Sequence, residues 1–355
     1  MRIQEDTGLK TREYGADLLR IYLMFLIVLH HCIAHGFGMA QLSRNLPMSY
    51  AENHFPMFIL NSLAVIAVNG FFWISGYFSI KRKWKKMLRL ALKCILYAAA
   101  IHAVLYLAKG DFNFSLKTFA STAVRILTSY WFIEAYLCLC FLAPYLNQVL
   151  KSITHKEGLL LLSGLVFIDV YWGFLRNVLG IGRGYTLFQA VCMYIIGYYC
   201  RQYMASEHIH KCRKGFLVCG YLILSVITGM MAYFLYTKKQ YSLSWLMYSY
   251  NNSLVMISAA ALCLAFASIR NSTLLCRKLS HFSAYMFGVY LLTDCPVMRE
   301  YLYIPLQRWL DGGTALFYPL KIIAFAVLVF ITAAVSEALL SNLTHLLNRR
   351  KEIVS

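Results

Sequence analysis

Asp17-Leu18-Leu19-Arg20-Ile21-Tyr22-Leu23-Met24-Phe25-Leu26-Ile27-Val28-Leu29-His30-His31 is the stretch that decides how this chain is read. Nine mostly apolar residues separate Arg20 from His30, and the run stays largely apolar to about residue 36. As an α-helix over 16–36 it is long enough to cross a hydrocarbon core, which takes about 20 residues. Stretches of the same kind follow at 56–79, 87–108, 129–149, 158–175, 185–200, 215–236, 245–268, 280–298 and 315–343. The pattern predicts an all-α polytopic membrane protein with about ten transmembrane helices.

Composition points the same way. With 60% hydrophobic, 15% aromatic and 14% charged residues over 355 positions, a water-soluble globule is excluded. The first apolar run follows a polar tail and lacks a small-residue cleavage site, so it is expected to stay as an anchor. Eleven cysteines, nearly all in apolar runs or in loops assigned to the cytoplasm, do not suggest a disulfide framework.

The net charge of +19 reads as an orientation signal, because cationic loops stay on the cytoplasmic side. With the N-terminus inside, the cytoplasmic segments hold 20 Lys and Arg and the opposite loops 10. Both termini are therefore expected to be cytoplasmic, and an odd number of crossings would put Arg349-Arg350-Lys351 outside. No interhelical segment is long enough for an independent core. The expected division is a cytoplasmic tail 1–15, a single membrane domain 16–343 and a cytoplasmic tail 344–355.

Charges and histidines at membrane depth are costly and so mark candidate sites. Arg20 and His31, 11 positions apart, fall within about 20° of one helix face and about 16 Å apart along the axis. Asp17 can pair with Arg20, while His30 points about 100° away from His31. A lone buried histidine more often simply satisfies a neighbour; Arg20 in register favours function. In Asn69-Gly70-Phe71-Phe72-Trp73-Ile74-Ser75-Gly76-Tyr77, the glycines suit close helix packing, and Asn69 and Ser75 are candidates for lining a substrate path. Glu134 and Asp294 lie within or near helix ends, with partners that sequence does not name.

Five cations follow between Lys81 and Lys86, and Lys86-x-x-Arg89 shares one helical face. They can orient the protein and attract anionic lipid, or bind phosphate. Glu207-His208-Ile209-His210-Lys211-Cys212 matches no strong zinc spacing, so no metal site is expected. There is no Walker A loop, no Gly-x-Gly-x-x-Gly and no Gly-x-Ser-x-Gly elbow.

Arg20 followed by ten residues and His31, together with Val68-Asn69-Gly70-Phe71-Phe72-Trp73-Ile74-Ser75-Gly76-Tyr77, resembles the integral-membrane acyltransferases of the acyltransferase-3 family, which acylate cell-envelope glycans and related acceptors in bacteria. Thr293 departs from the pattern, since many members carry a histidine there. The resemblance implies an enzyme of the bacterial plasma membrane. It would take an acyl group, most often acetyl, from cytoplasmic acyl-CoA (acetyl-CoA) and deliver it to a hydroxyl of a glycan or lipid-linked saccharide, with no permanently bound cofactor. On this reading His31 is base or transient acyl carrier and Arg20 orients the donor or steadies developing charge. Lys86, Arg89 and Arg82 contact the CoA phosphates, and Asn69, Ser75, Glu134 and Asp294 are candidates for the path. The alternative is a transporter or flippase for a glycan precursor or small polar solute, using Arg20, His31, Glu134 and Asp294 as a polar pathway.

Overall fold

A computed structural model describes residues 13–48, 50, 54–81, 83–108, 121, 130–178, 180–205, 214–269, 273–311 and 314–354. Among the described residues the chain is helical and contains no strand. Helices stand at each of the ten places expected from sequence, and six are long and apolar enough to span a membrane: Tyr14–Gly36, Phe55–Tyr77, Trp131–Ser152, His155–Leu175, Lys214–Thr237 and Ala315–Asn342. The protein is thus all-helical and multi-pass. Ser253–Ala267 is apolar but shorter.

Several expected crossings are interrupted. α1, Tyr14–His31, continues as a π-helical turn over Cys32–Gly36. The second crossing is two helices, α2 (Phe55–Ala64) and α3 (Ala67–Tyr77), joined by a turn at Val65-Ile66. α4 is Trp84–Ala108, α5 Trp131–Ser152 and α6 His155–Phe167, and α6 passes into a π-helix over Ile168–Leu175. α7 (Leu187–Ala205) and α8 (Lys214–Thr237) follow. The expected helix over 245–268 is divided into α9, Tyr241–Leu246, and α10, Ser253–Ala267. The one over 280–298 becomes α11 (Leu274–Ser280), a 3-10 turn and α12 (Met286–Thr293), then α13 (Pro296–Leu302) and α14 (Ile304–Asp311). The last helix, α15, runs Tyr318–Val354 and so continues through the segment assigned to the C-terminal tail.

The breaks leave backbone groups that cannot turn to water at membrane depth and must find partners inside the protein. Between α9 and α10, the carbonyl of Tyr250 accepts from Asn69 Nδ2 at 2.8 Å and from Gln189 Nε2 at 2.7 Å, and Gln189 also donates to Asn69 Oδ1 at 2.9 Å. All three residues are buried. Asn252 then caps α10, its side chain accepting from Leu254 N at 3.0 Å.

α1 sits centrally, touching α2, α3, α10, α11, α12 and α15. α3 packs against α7 at very short range. A Cβ on Gly76 would lie 1.8 Å from the Tyr194 carbonyl oxygen, and one on Gly197 would lie 2.1 Å from that of Trp73. Apolar burial gives little drive for helix association in lipid, so this backbone contact depends on small residues at both positions. Gly76→Ala or Gly197→Ala is expected to lower the thermal midpoint of the detergent-solubilised protein markedly. Gly164→Ala, with nothing within 4 Å of the added carbon, should leave it unchanged; equal effects at all three would overturn this packing account.

Candidate active site

The helix break after α12 builds the centre. Pro296 disfavours helical geometry at the residue before it, and Cys295 is accordingly out of the helical region, with ψ 126°. Asp294 is left at the end of α12, buried, its N–H still bonded to the Tyr290 carbonyl at 2.9 Å. Arg299, one turn into α13, folds back so that its Nε and Nη2 both donate to Asp294 Oδ1, the former at 3.0 Å. On the other side, His31 Nε2 lies 3.4 Å from the same oxygen. His31 Nδ1 is buried without a hydrogen-bond partner among the described residues.

The result is a line Arg299–Asp294–His31 with one imidazole nitrogen turned to the carboxylate and the other, buried, without a hydrogen-bond partner among the described residues. A carboxylate in that position fixes the ring's tautomer and orientation and steadies the imidazolium that forms on proton transfer. His35 lies one turn further on, its ring 5.8 Å from that of His31 and 5.7 Å from that of Tyr303. His30 is engaged elsewhere: Nδ1 donates to Asn61 Oδ1 at 2.7 Å, and its ring stacks on Trp245.

Arg20 stands towards the other end of α1. Its Nη1 donates to Asp17 Oδ1 at 2.8 Å, Ser283 Oγ donates to that oxygen at 3.1 Å, and the guanidinium lies over the Phe78 ring at 5.3 Å. A cavity of about 330 Å³ opens beside it, walled also by Ser75, Tyr136 and Leu90. A small inner pocket of about 30 Å³ is lined by His30, His31, Trp131 and Asp294. Ile27, Phe132 and Tyr290 line both, so the space beside Arg20 ends on the side chains that cover His31. One face of α1 thus carries a cation beside the larger cavity and an imidazole in the small pocket next to it.

The structure brings Arg20, Ser75, His31 and Asp294 to this axis. Ser75 lines the cavity while its hydroxyl bonds the Phe71 carbonyl at 2.9 Å. Asn69 is not among the lining side chains and is held in the Tyr250 network. Glu134 is exposed on α5 and lines neither space. Lys86 and Arg89 are both exposed on α4, and Arg89 lines a different cavity. Arg82 lies outside the described residues. Thr293 donates to the Val289 carbonyl at 2.9 Å and makes no hydrogen bond to Asp294 among the described residues.

The sequence patterns above do not single out Arg299, His35, Asn61 or Gln189. The spacing Asp294-x-x-x-x-Arg299 spans a proline break, so a helical wheel gives no hint of the pair. His31-x-x-x-His35, by contrast, is an ordinary one-turn spacing that was open to reading.

The model of the acyltransferase-3 family, described as an acyltransferase domain, matches residues 13–337. The chain belongs to this family and is an acyltransferase. No curated protein and no solved structure matches it.

Replacing His31 by Ala is expected to abolish acyl transfer with the protein still folded, whereas His30→Ala should retain most activity; equal loss at both would remove the distinction between the two rings. Asp294→Asn should lower kcat by about two to four orders of magnitude with a small effect on KM, the scale on which a misoriented histidine costs a general base.

Proposed function

We propose that this protein is a membrane O-acyltransferase that moves an acyl group, acetyl foremost, from cytoplasmic acyl-CoA to a hydroxyl of an extracytoplasmic or lipid-linked glycan. The observation that carries the reading is His31, beside Asp294 with Nδ1 unpartnered among the described residues, in a small pocket that shares Ile27, Phe132 and Tyr290 with the cavity beside Arg20. Acyl transfer to an alcohol needs a base for the hydroxyl proton, and imidazole is the side chain best suited near neutrality.

In the proposed mechanism the thioester lies with its carbonyl beside His31. His31 Nδ1 takes the proton of the acceptor hydroxyl, and that oxygen attacks the thioester carbonyl carbon. The C–S bond breaks, and the departing thiolate takes the proton from Nδ1, so His31 returns to its starting state. Asp294, anchored by Arg299, holds the ring throughout and steadies the imidazolium between the two transfers.

Arg20, about 16 Å from His31 along α1, is too distant to touch the reacting carbonyl. Its place at the cavity mouth suits the polar part of the donor, as does Lys86, one turn above Leu90 on α4. Cations hold phosphate through charge-assisted bonds. The location proposed is a bacterial plasma membrane, and the bias of Lys and Arg towards one set of loops favours both termini, and the Arg20 side of the cavity, in the cytoplasm.

Membranes from cells expressing the wild type should transfer radioactive acetyl from acetyl-CoA to membrane or surface glycan, and membranes with His31→Ala or without the protein should not. Transfer that persists with His31→Ala would refute the assignment. Arg20→Ala with Lys86→Ala should raise KM for acetyl-CoA about tenfold or more; an unchanged KM would remove both from donor binding.

A further inference from the structure

A second cavity, of about 490 Å³, lies between α4 and α15 and shares no lining residue with the cavity beside Arg20 or the pocket at His31. Its α4 wall is Arg89, Leu92, Lys93, Leu96 and on to Ala100 and Ile101, a spacing of three and four that is one continuous helical face. Leu92 and Leu96 are more than half exposed on it. The facing wall is Glu337, Leu340 and Ser341 of α15, and Leu292 of α12 forms the floor. Large apolar side chains open to the outside of a multi-pass protein face lipid.

The charges are sorted by height. Lys93 Nζ bonds Glu337 Oε1 at 2.5 Å, and Glu337 is only 3% exposed. That pair cancels, as a buried charge requires. Arg89, one turn towards the cationic run Lys81–Lys86, has no carboxylate within ion-pair distance among the described residues, so the cavity carries a net charge of +1 at its rim. From Arg89 to Ile101 the groove runs twelve residues, about 18 Å at the helical rise. This compares with about 15 Å for half a hydrocarbon core. The groove is thus long enough to hold one acyl chain with a phosphate at its Arg89 end.

We propose that this groove is a binding site for one phospholipid of the leaflet on the Lys81–Lys86 side, its anionic phosphate on Arg89 and one acyl chain laid along Leu92, Leu96 and Ala100. The headgroup chemistry that fits is a phosphate with one net negative charge, as in phosphatidylglycerol. A zwitterionic headgroup adds a cation beside Arg89 and fits less well. Glu337 and Lys93 form the polar shelf beneath the phosphate, and the small Ala100 leaves room for the chain.

Native mass spectrometry of the detergent-purified full chain, titrated separately with phosphatidylglycerol, phosphatidylcholine and inorganic phosphate, tests this. The wild type should bind one phosphatidylglycerol at least fivefold more tightly than phosphatidylcholine. Arg89→Gln should weaken that binding about fivefold, the factor one cation contributes near an anionic lipid surface. Ala100→Phe, which fills the groove without touching the acyl-transfer residues, should abolish lipid retention while label transfer continues. Phosphatidylglycerol binding unaltered in both variants, or phosphatidylcholine bound as tightly, would overturn the proposal. So would displacement of the lipid by inorganic phosphate alone, which would make this a phosphate site with no chain slot. Lipid retention is read independently of acyl transfer, so failure here leaves the proposed reaction standing.

Discussion

A carboxylate taken out of water must be paired, because an isolated buried charge costs several kcal/mol or more. Asp294 is such a group, and the architecture of the site follows from how it is satisfied. Arg299 reaches it only because Pro296 stops α12 and turns α13 back over the break. His31 reaches it from α1. Were the segment 280–298 a single straight helix, Arg299 would stand five residues further along the axis, on a different face. The interruption is therefore what assembles a cation, a carboxylate and an imidazole in one place within a mostly apolar bundle.

The same constraint explains the other breaks. Each interruption frees carbonyls that a continuous helix would satisfy, and polar side chains take several of them up, tyrosine hydroxyls at Leu63 and Leu291 and amides at Tyr250. Asn69 and Gln189 converge on the Tyr250 carbonyl, tying α3, α7 and the α9–α10 connection together. This contact in turn needs α3 and α7 close, which Gly76 and Gly197 permit by removing two Cβ atoms that would strike backbone. Packing and polar satisfaction are thus one arrangement. α3 keeps its position against α1, Gly70 accommodating Leu23, and the cavity walls Phe71, Ile74 and Ser75 come with it.

Sequence reading made the helical, multi-pass class plain because apolar runs of spanning length are a long-range signal that local detail does not erase. That Arg20 and His31 share one face was legible for a related reason. They lie on one uninterrupted α-helix, where angle and rise convert directly from residue number. Residues beyond a break were not legible, since a proline or a turn resets both. Asp294 could be flagged as costly but not paired, and Asn69 read as a path residue when its amide serves a backbone carbonyl 181 positions away in the chain. Glu134 shows the converse limit. A charge near a helix end can simply face outward, and spacing alone does not tell that face from the inward one. Lys86 and Arg89 illustrate a finer one, because residues on one broad helical face still part when two cavities flank the helix.

α12 is the wall between those cavities. Phe287 and Tyr290 face the space that runs from Arg20 towards His31, Leu292 faces the groove beside α4, and Gly288 lies so close to Glu337 that a Cβ would come within 2.1 Å of its carboxyl carbon. The Lys93–Glu337 pair therefore braces, on its lipid side, the helix whose last turn presents Asp294. Six residues, about 9 Å of helix, separate Gly288 from Asp294. At Gly288 there is no side chain to absorb a shift of Glu337. The tightness of that contact makes the buried ion pair part of what holds Asp294 in register with His31, even though neither Lys93 nor Glu337 lines the space where acyl transfer is proposed to occur.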